Sequence, residues 1–327
     1  LAARELGWPV KALEAARKTL EAHGDRANAA HARYLELRRL LLIGRLDEAE
    51  GLLAELDPEP LPPALRAAHE LLVAGIAMRR LETQRARSAI TRAEAAARVA
   101  GIPALTAEIQ SAALILETPA ARLIAQGQAR PLLLEEVEAL LGSASLVVDA
   151  CRYVVRGVGM SISLATRPVL FTLARALAEA WPADVPRGAL IAQAFRLKLT
   201  DESHRARLRV EIGRLRLALK PLATVTATAR GFALVSLVAP DVVVLARPVE
   251  EKHAAVFAFL ADGESWSSSA LALALGTSQR TVQRVLEELG ASGKVQAFGR
   301  GRARRWMTPP VPGFATTLLL PVPFAGD

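Results

Sequence analysis

The chain has 327 residues, of which 52% are apolar and 23% charged, and it carries a formal net charge of +8 at pH 7. This composition is typical of a folded protein and excludes a largely disordered one, and the length corresponds to roughly two or three domains. The single cysteine, Cys151, excludes a disulfide framework and a multi-cysteine metal site. No apolar run is long enough to predict a membrane-spanning helix, so no membrane partner is expected.

The excess positive charge is concentrated in the middle of the chain. Residues 144–236 carry 14 Lys and Arg against 6 Asp and Glu, and residues 250–310 carry 8 against 6. Residues 1–143 carry 18 against 19 and are therefore close to neutral. This division predicts a polyanionic partner for the basic part of the chain only.

Residues 1–143 are predicted to form an array of paired helices. Three segments align at a spacing of 37 residues, which places Ala12, Ala49 and Ala86 at equivalent positions. Small residues are required where two helices approach closely. Residues 41–58, with the sequence LLIGRLDEAEGLLAELDP, resemble the second half of a tetratricopeptide repeat. Such arrays bind a protein, peptide or effector, or mediate self-association. The equal alternative is that these helices only form a homodimer or pack on the rest of the chain.

The pattern changes at Ser145, where short β-patterned runs begin. It then predicts two strands, three helices and a hairpin, in that order, over residues 145–149, 160–164, 167–180, 186–197, 201–219 and 224–234. We expect these elements to form one domain over residues 144–238. An apolar, strand-like stretch at residues 242–245 follows within a linker.

The third of these helices combines an apolar stripe with many arginines. The stripe is formed by residues at helical spacing, Leu208, Ile212, Leu215 and Leu219. The other faces carry five arginines, Arg205, Arg207, Arg209, Arg214 and Arg216. Because like charges at this spacing repel one another, we expect a polyanion to neutralise them, and arginine can read guanine in the major groove of DNA. Ion pairing with acids of the protein, or a solvated face, is the alternative.

Three stretches of this segment resemble the winged-helix domain of OmpR-like response regulators: LVVD at residues 146–149, RVEIGRLR at residues 209–216 and TARGFAL at residues 228–234. The resemblance implies that the third helix lies in the major groove and that the hairpin, the wing, reaches a neighbouring minor groove. It further implies a role for each matched position: bases for Arg207, Arg209, Glu211 and Arg214, phosphate for Arg216, and the wing for Arg230. No receiver domain is recognisable in residues 1–143.

Residues 249–310 predict a second DNA-binding domain. Helices over residues 267–275 and 279–290, joined by a tight turn, form a helix-turn-helix pattern. The exposed start of the second helix is expected to touch base edges through Ser278, Gln279, Arg280, Thr281, Gln283 and Arg284. Two strand-like runs follow and resemble the wing of common bacterial winged helix-turn-helix domains, with arginines at its turn and second strand: Arg300, Arg302, Arg304 and Arg305. We expect Trp306 to pack under this wing and residues 311–327 to form an extended tail; a winged domain that contacts protein is the alternative.

Taken together, these patterns predict a mainly α fold with small β wings, in which an α-helical tetratricopeptide-like array precedes two winged-helix domains. No HExxH, GxxxxGK(S/T) or GxSxG motif and no metal-ligand spacing occurs, so neither catalysis nor a cofactor is expected. The patterns favour a cytoplasmic, nucleoid-associated transcription regulator of bacterial type that binds double-stranded DNA sequence-specifically. A replication initiator or architectural DNA-binding protein, and an adaptor whose winged domains bind protein, are the alternatives.

Overall fold

A computed structural model describes residues 10–195, 202–248, 253–260, 265–291, 294–299, 301 and 304–307. The fold is mixed α/β, in which helices predominate and the sheets are small. The described residues divide into two compact units. None of the described helices combines the length and the apolar character that a membrane span requires.

The first unit begins with six helices joined by short turns. These are α1 (Val10–Ala22), α2 (Arg26–Leu42), α3 (Leu46–Ala54), α4 (Pro63–Arg80), α5 (Thr83–Ala100) and α6 (Pro103–Leu116). Local signals set their ends: the Asp25 carboxylate accepts a hydrogen bond from the Asn28 amide at the start of α2, and Gly101 takes the left-handed conformation that ends α5. Each helix packs on its neighbour along the chain or on the helix after that.

The 37-residue alignment describes two of these helices but not the first. Ala49 in α3 and Ala86 in α5 are completely buried, and Leu53 and Ile90, one turn further on, are buried as well. The equivalent residue in α1, Ala12, is exposed. The expected close approach is therefore wrong for α1, where the small residue lies on the outer face.

The same unit contains the C-terminal elements. They are α11 (Ala254–Leu260), α12 (Ser268–Ala274), α13 (Gln279–Ala291), β10 (Gln296–Phe298) and β11 (Arg305–Met307). Trp266 and Trp306 exchange two backbone hydrogen bonds of 2.8 Å, which adds a short bridge to the β10–β11 hairpin. Trp306 is buried beneath this hairpin, as expected, and Leu42 at the end of α2 joins the same apolar core.

The second unit contains a six-stranded sheet. Its strands are β1 (Ala121–Ala125), β2 (Gln128–Leu132), β3 (Leu146–Asp149), β4 (Val154–Gly157), β5 (Met160–Ser163) and β9 (Val242–Ala246), and α7 (Leu134–Leu141) connects β2 to β3. The strand order is β2-β1-β9-β3-β4-β5, with β3 and β9 parallel and the other pairs antiparallel. The strand expected at residues 242–245 is confirmed, but the linker expected around it is wrong, because β9 is a buried strand between β1 and β3. The sheet also extends beyond both ends of the segment 144–238, because β1 and β2 precede that segment and β9 follows it.

Three helices and a smaller sheet complete the second unit. They are α8 (Pro168–Ala180), β6 (Val185–Pro186), α9 (Arg187–Phe195), α10 (Glu202–Leu219), β7 (Ala223–Ala227) and β8 (Gly231–Ser236). The smaller sheet is antiparallel with the order β6-β8-β7. The apolar faces of α8 and α10 share one core with both sheets. Pro186 was expected in the first turn of a helix but lies in β6, one residue before α9.

Glycine is required where β6 meets β8. Gly231 lies opposite Pro186 in the register of the two strands. A Cβ at Gly231 would overlap the Val185 carbonyl group and lie 2.9 Å from Pro186 Cα. Only a residue without a side chain therefore allows this pairing, which holds the β7–β8 hairpin beside α9.

Candidate nucleic-acid interface

Helix α10 is held in the second unit by one apolar stripe. Leu208, Ile212, Leu215 and Leu219 are all buried in the core, as their helical spacing predicts. The rest of the helix surface carries five arginines and two glutamates, an excess of three positive charges. The sequence therefore folds α10 so that its apolar side anchors it and its basic sides remain at the surface.

Arg205 and Arg209 lie on one side of α10 and share a carboxylate. Arg205 Nη1 donates to Glu202 Oε2 at 3.2 Å, and Arg209 Nη2 donates to Glu202 Oε1 at 2.9 Å. The two arginine side chains are 60% and 67% exposed. Because exposed ion pairs contribute only about 0–1 kcal/mol, acceptor groups of another molecule can replace Glu202 as the partner of these arginines.

Arg207 and Arg214 lie on the opposite side of α10. The guanidinium carbon of Arg207 is 4.4 Å from the centre of the Phe195 ring, which holds it by a cation–π contact. Arg214 Nη1 donates to Glu211 Oε1 at 2.8 Å. The Arg214 side chain is 64% exposed, but that of Glu211 is only 13% exposed. The Glu211 carboxylate, which the resemblance places toward bases, thus pairs with Arg214 in this structure.

A basic cleft of about 660 Å³ lies between α9, α10 and the β7–β8 hairpin. Its charged lining consists of five arginines and one glutamate, Arg187, Arg205, Arg209, Arg216, Arg230 and Glu202. Its apolar lining includes Ile191, Leu208 and Phe232. This cleft, called the arginine cleft below, brings together arginines from α9, α10 and the β7–β8 hairpin.

Two arginines of the arginine cleft are fixed by backbone carbonyl groups. Arg187 donates to the Ala229 and Thr228 carbonyls, both at 3.0 Å, and its guanidinium lies over the Phe232 ring. Arg216 Nε donates to the Val225 carbonyl at 2.6 Å. Since carbonyl groups orient these guanidinium groups without neutralising them, their full charge remains available to an anion.

The hairpin turn carries the last arginine of the cleft. Arg230 is exposed, and its Nε lies 3.9 Å from Asp184 Oδ1. The Thr228 hydroxyl donates to Asp184 Oδ2 at 2.6 Å and accepts from the Gly231 amide at 2.8 Å. These bonds define the turn and hold Arg230 at its tip, the position expected of a wing residue.

The C-terminal helix pair has the expected turn and exposed face. The Ser278 hydroxyl accepts a hydrogen bond from the Thr281 amide at 3.1 Å, which caps the start of α13. The Gln279 side-chain amide donates to the Ser268 hydroxyl at 3.0 Å and so links α13 to α12. Ser278, Gln279, Arg280, Gln283 and Arg284 are exposed, whereas Thr281 is half-buried. Most of the predicted contact residues thus lie together on one surface at the start of α13.

The arginines of the second hairpin are only partly described. Arg304 is exposed, and its guanidinium carbon lies 4.4 Å from the centre of the Trp306 ring. Arg305 is half-buried in β11 and donates to the Arg304 carbonyl at 3.2 Å. Arg300 and Arg302, and the tail expected at residues 311–327, lie outside the described residues.

Sequence patterns missed two residues of the arginine cleft, Arg187 and Glu202. Arg187 follows Pro186 in a segment with no basic cluster, and it reaches the cleft only because β6 pairs with β8. Glu202 precedes the arginine-rich stretch by three residues, and its spacing of 3 and 7 from Arg205 and Arg209 is a helical signal that would have revealed it.

Other reactive or ligating groups of the described residues do not form a second site. Burial, and then the charge of Asp149, raises the pKa of the Cys151 thiol to about 12, so this thiol stays protonated at neutral pH. The Asp149 carboxylate accepts from the amides of Cys151 and Arg152 and shapes the turn after β3. Within the part of the chain that the structure describes, no group of three His, Cys, Asp or Glu side chains could hold a metal ion.

Comparisons of the chain with protein-family models, with curated proteins and with solved structures found no match.

Proposed function

We propose that the protein binds double-stranded DNA sequence-specifically and acts as a transcription regulator, with α10 in the major groove. The observation that carries this proposal is the arginine cleft, where five arginines meet one glutamate beside an exposed helix. Phosphate contacts from such arginines supply much of the affinity of a protein for DNA, whereas contacts with bases supply the sequence preference. The arrangement offers both kinds of contact from adjacent elements.

The dimensions and the order of the elements support the same proposal. The 18 residues of α10 span about 27 Å, and a major groove about 12 Å wide accepts an α-helix. The elements follow the order α8, β6, α9, α10, β7 and β8, and this order of helices followed by a hairpin supports the proposed winged-helix arrangement. In this assignment Arg207, Arg209 and Arg214 reach toward bases on either side of α10, Arg205 and Arg216 approach phosphates, and Arg230 lies on the wing.

The C-terminal elements supply a second DNA-binding surface in this proposal. Arg280, Gln283 and Arg284 share the exposed start of α13, where guanidinium and amide groups can bond with base edges. When one surface is bound to a DNA site that carries the sequences recognised by both, the other surface is held near its own sequence. Its effective concentration there is therefore raised. The helices α1–α6 are then the candidate region for a protein partner, an effector or dimerisation. Such a regulator is expected in the cytoplasm, associated with the nucleoid.

Selection from random DNA tests the proposal. The full chain is incubated with random duplexes and the bound fragments are sequenced, in parallel with an Arg205→Ala/Arg209→Ala variant. Arg98→Ala, which changes an exposed arginine of α5, is the matched control. We expect an enriched sequence for the wild type and the control and none for the double variant. Absence of any enriched or bound duplex with the wild type would contradict the proposal.

A further inference from the structure

The face of α10 that points away from the core is apolar. Ala206, Val210, Gly213 and Leu217 follow one another at steps of four, three and four residues, directly opposite the buried stripe. Val210 is 53% exposed and Leu217 is 76% exposed, and Ala206 and Gly213 are exposed as well. These four residues, called the outer stripe, thus place apolar surface where a surface helix normally carries polar residues.

Arginines border the outer stripe on both sides. The helical period places Arg205 and Arg209 along one edge and Arg207 and Arg214 along the other. An apolar protein partner would have to desolvate these charges along the whole length of the helix. A partner that is anionic at both edges and apolar in the middle fits this arrangement better. The major groove of DNA has that character, because phosphates line its edges and thymine methyl groups project from its floor.

Gly213 is an independent observation in favour of a close external contact. A glycine in the middle of a helix lowers stability relative to alanine. A Cβ at Gly213 would meet no atom within 4 Å, so packing within the described structure does not require glycine here. Because Gly213 has no side chain, the outer stripe has a gap between the side chains of Val210 and Leu217. Such a gap allows another molecule to approach the helix backbone.

We propose that the outer stripe reads thymine: Val210 and Leu217 contact the C5-methyl groups of thymines in the major groove, with Gly213 allowing the groove floor to approach. This inference rests on the proposed DNA binding and assigns the base class at the centre of the site. The site then has A·T pairs opposite the outer stripe, flanked by pairs within reach of Arg209 and Arg214. The apolar contact distinguishes thymine from cytosine, which lacks the methyl group.

Replacement of thymine by deoxyuridine tests this assignment, because it removes only the methyl group. The duplex selected by the full chain is synthesised with uracil at each thymine inside the footprint, and a control duplex carries uracil outside it. Each contacted methyl group should contribute about fourfold in affinity, the value expected for burial of one methylene-sized group. The control duplex should bind like the unmodified one.

Two variants connect the effect to the outer stripe. Val210→Ala/Leu217→Ala should bind the thymine duplex more weakly and respond less to uracil, because the side chains that meet the methyl groups are shortened. Val99→Ala, an exposed apolar residue of α5, should keep the wild-type response. Gly213→Ala should raise the melting temperature by about 2 °C and weaken binding to the thymine duplex.

The outcomes separate this inference from the function on which it rests. Tight binding of a selected duplex that is indifferent to uracil would overturn the thymine assignment and leave DNA binding intact. Absence of binding to any duplex would overturn both. If Val210→Ala/Leu217→Ala instead dissociates an oligomer in sedimentation experiments and leaves the uracil response unchanged, the outer stripe is a protein contact and the assignment is wrong.

Discussion

The guanidinium group of Arg214 lies 2.8 Å from the carboxylate of Glu211, and the exposure of the two side chains differs fivefold, 64% against 13%. The less mobile partner of this pair is therefore the acid, and Arg214 is the end that projects into solvent. A buried anchor with an exposed guanidinium restricts the orientations of the arginine before a partner binds. Such preorganisation reduces the entropy lost on binding.

Replacing Glu211 with Gln should change affinity and selectivity in opposite directions. Glu211→Gln removes a negative charge and the anchor of Arg214, so binding to random duplex should rise about two- to fivefold at low salt. The ratio of affinities for selected and random duplex should fall, because Arg214 is no longer oriented. Fluorescence anisotropy with both duplexes measures the two values. An unchanged ratio would show that Glu211 does not position Arg214.

Arginines of the arginine cleft should set the salt dependence of binding. Arg205→Ala and Arg230→Ala should each lower the slope of log affinity against log salt by about 0.9, the value for one lost phosphate contact. Their affinities for selected and random duplex should fall by similar factors, because phosphate contacts do not depend on sequence. Arg98→Ala serves as the control. Wild-type slopes for both cleft variants would place these side chains away from the backbone of DNA.

The helical spacing of residues in the sequence was sufficient to predict α10 and to distinguish its apolar face from its basic faces. All four residues of the predicted apolar stripe are buried, and Arg205, Arg209 and Arg214 are exposed. Helical spacing is a property of neighbouring residues, so a single sequence contains it. The arginine cleft is different, because Arg187 bonds with Thr228 and Ala229, about 40 residues away in sequence. A pattern of neighbouring residues cannot reveal a contact between residues so far apart in the sequence.

The β1–β2 hairpin was not predicted because its second strand has no apolar alternation. In β2 the first four residues are exposed, and Arg130 and Pro131 lie within the strand. Pro is tolerated there because β2 is at the edge of the six-stranded sheet. Pairing with β1 places it in the sheet, although its own residues favour a loop.

The second DNA-binding surface gives a prediction that depends on the length of the DNA. Arg280→Ala should weaken binding to a long selected duplex by about tenfold, since one good arginine–guanine pair contributes about 1–3 kcal/mol. It should leave binding unchanged on a short duplex that contains only the sequence recognised by α10. Glu287→Ala, a neighbouring exposed position of α13, is the control. Equal losses on both duplexes would indicate that the two surfaces do not bind separate sequences.

Stability of the first unit should fall in mild acid through His69. Its Nδ1 lies 3.3 Å from the Tyr34 hydroxyl, and burial lowers the pKa of His69 below its usual 6.5, with Arg92 also lowering it and Glu70 and Asp57 raising it. The unfolded chain therefore binds a proton at this histidine more readily than the folded chain. The stabilising effect is fully present above about pH 6.5 and is lost as the pH falls through the depressed pKa.

Thermal or urea unfolding between pH 7.5 and pH 5.5 measures this effect. The free energy of unfolding of the wild type should fall more than that of His69→Gln, by at most about 1.4 kcal/mol for each pH unit. His31→Gln, at an exposed histidine of α2, should behave like the wild type. Identical pH dependence in the wild type and His69→Gln would mean that the pKa of His69 is not depressed.

Chemical protection of individual arginines tests the central claim most directly. The full chain is treated with phenylglyoxal, which modifies accessible guanidinium groups, in the absence and presence of a selected duplex, and each arginine is quantified by mass spectrometry. We predict that the duplex slows modification of Arg205, Arg209, Arg214 and Arg230 severalfold and leaves Arg98 unchanged. Equal modification of the four arginines with and without bound duplex would contradict the assignment of α10 and the arginine cleft to DNA.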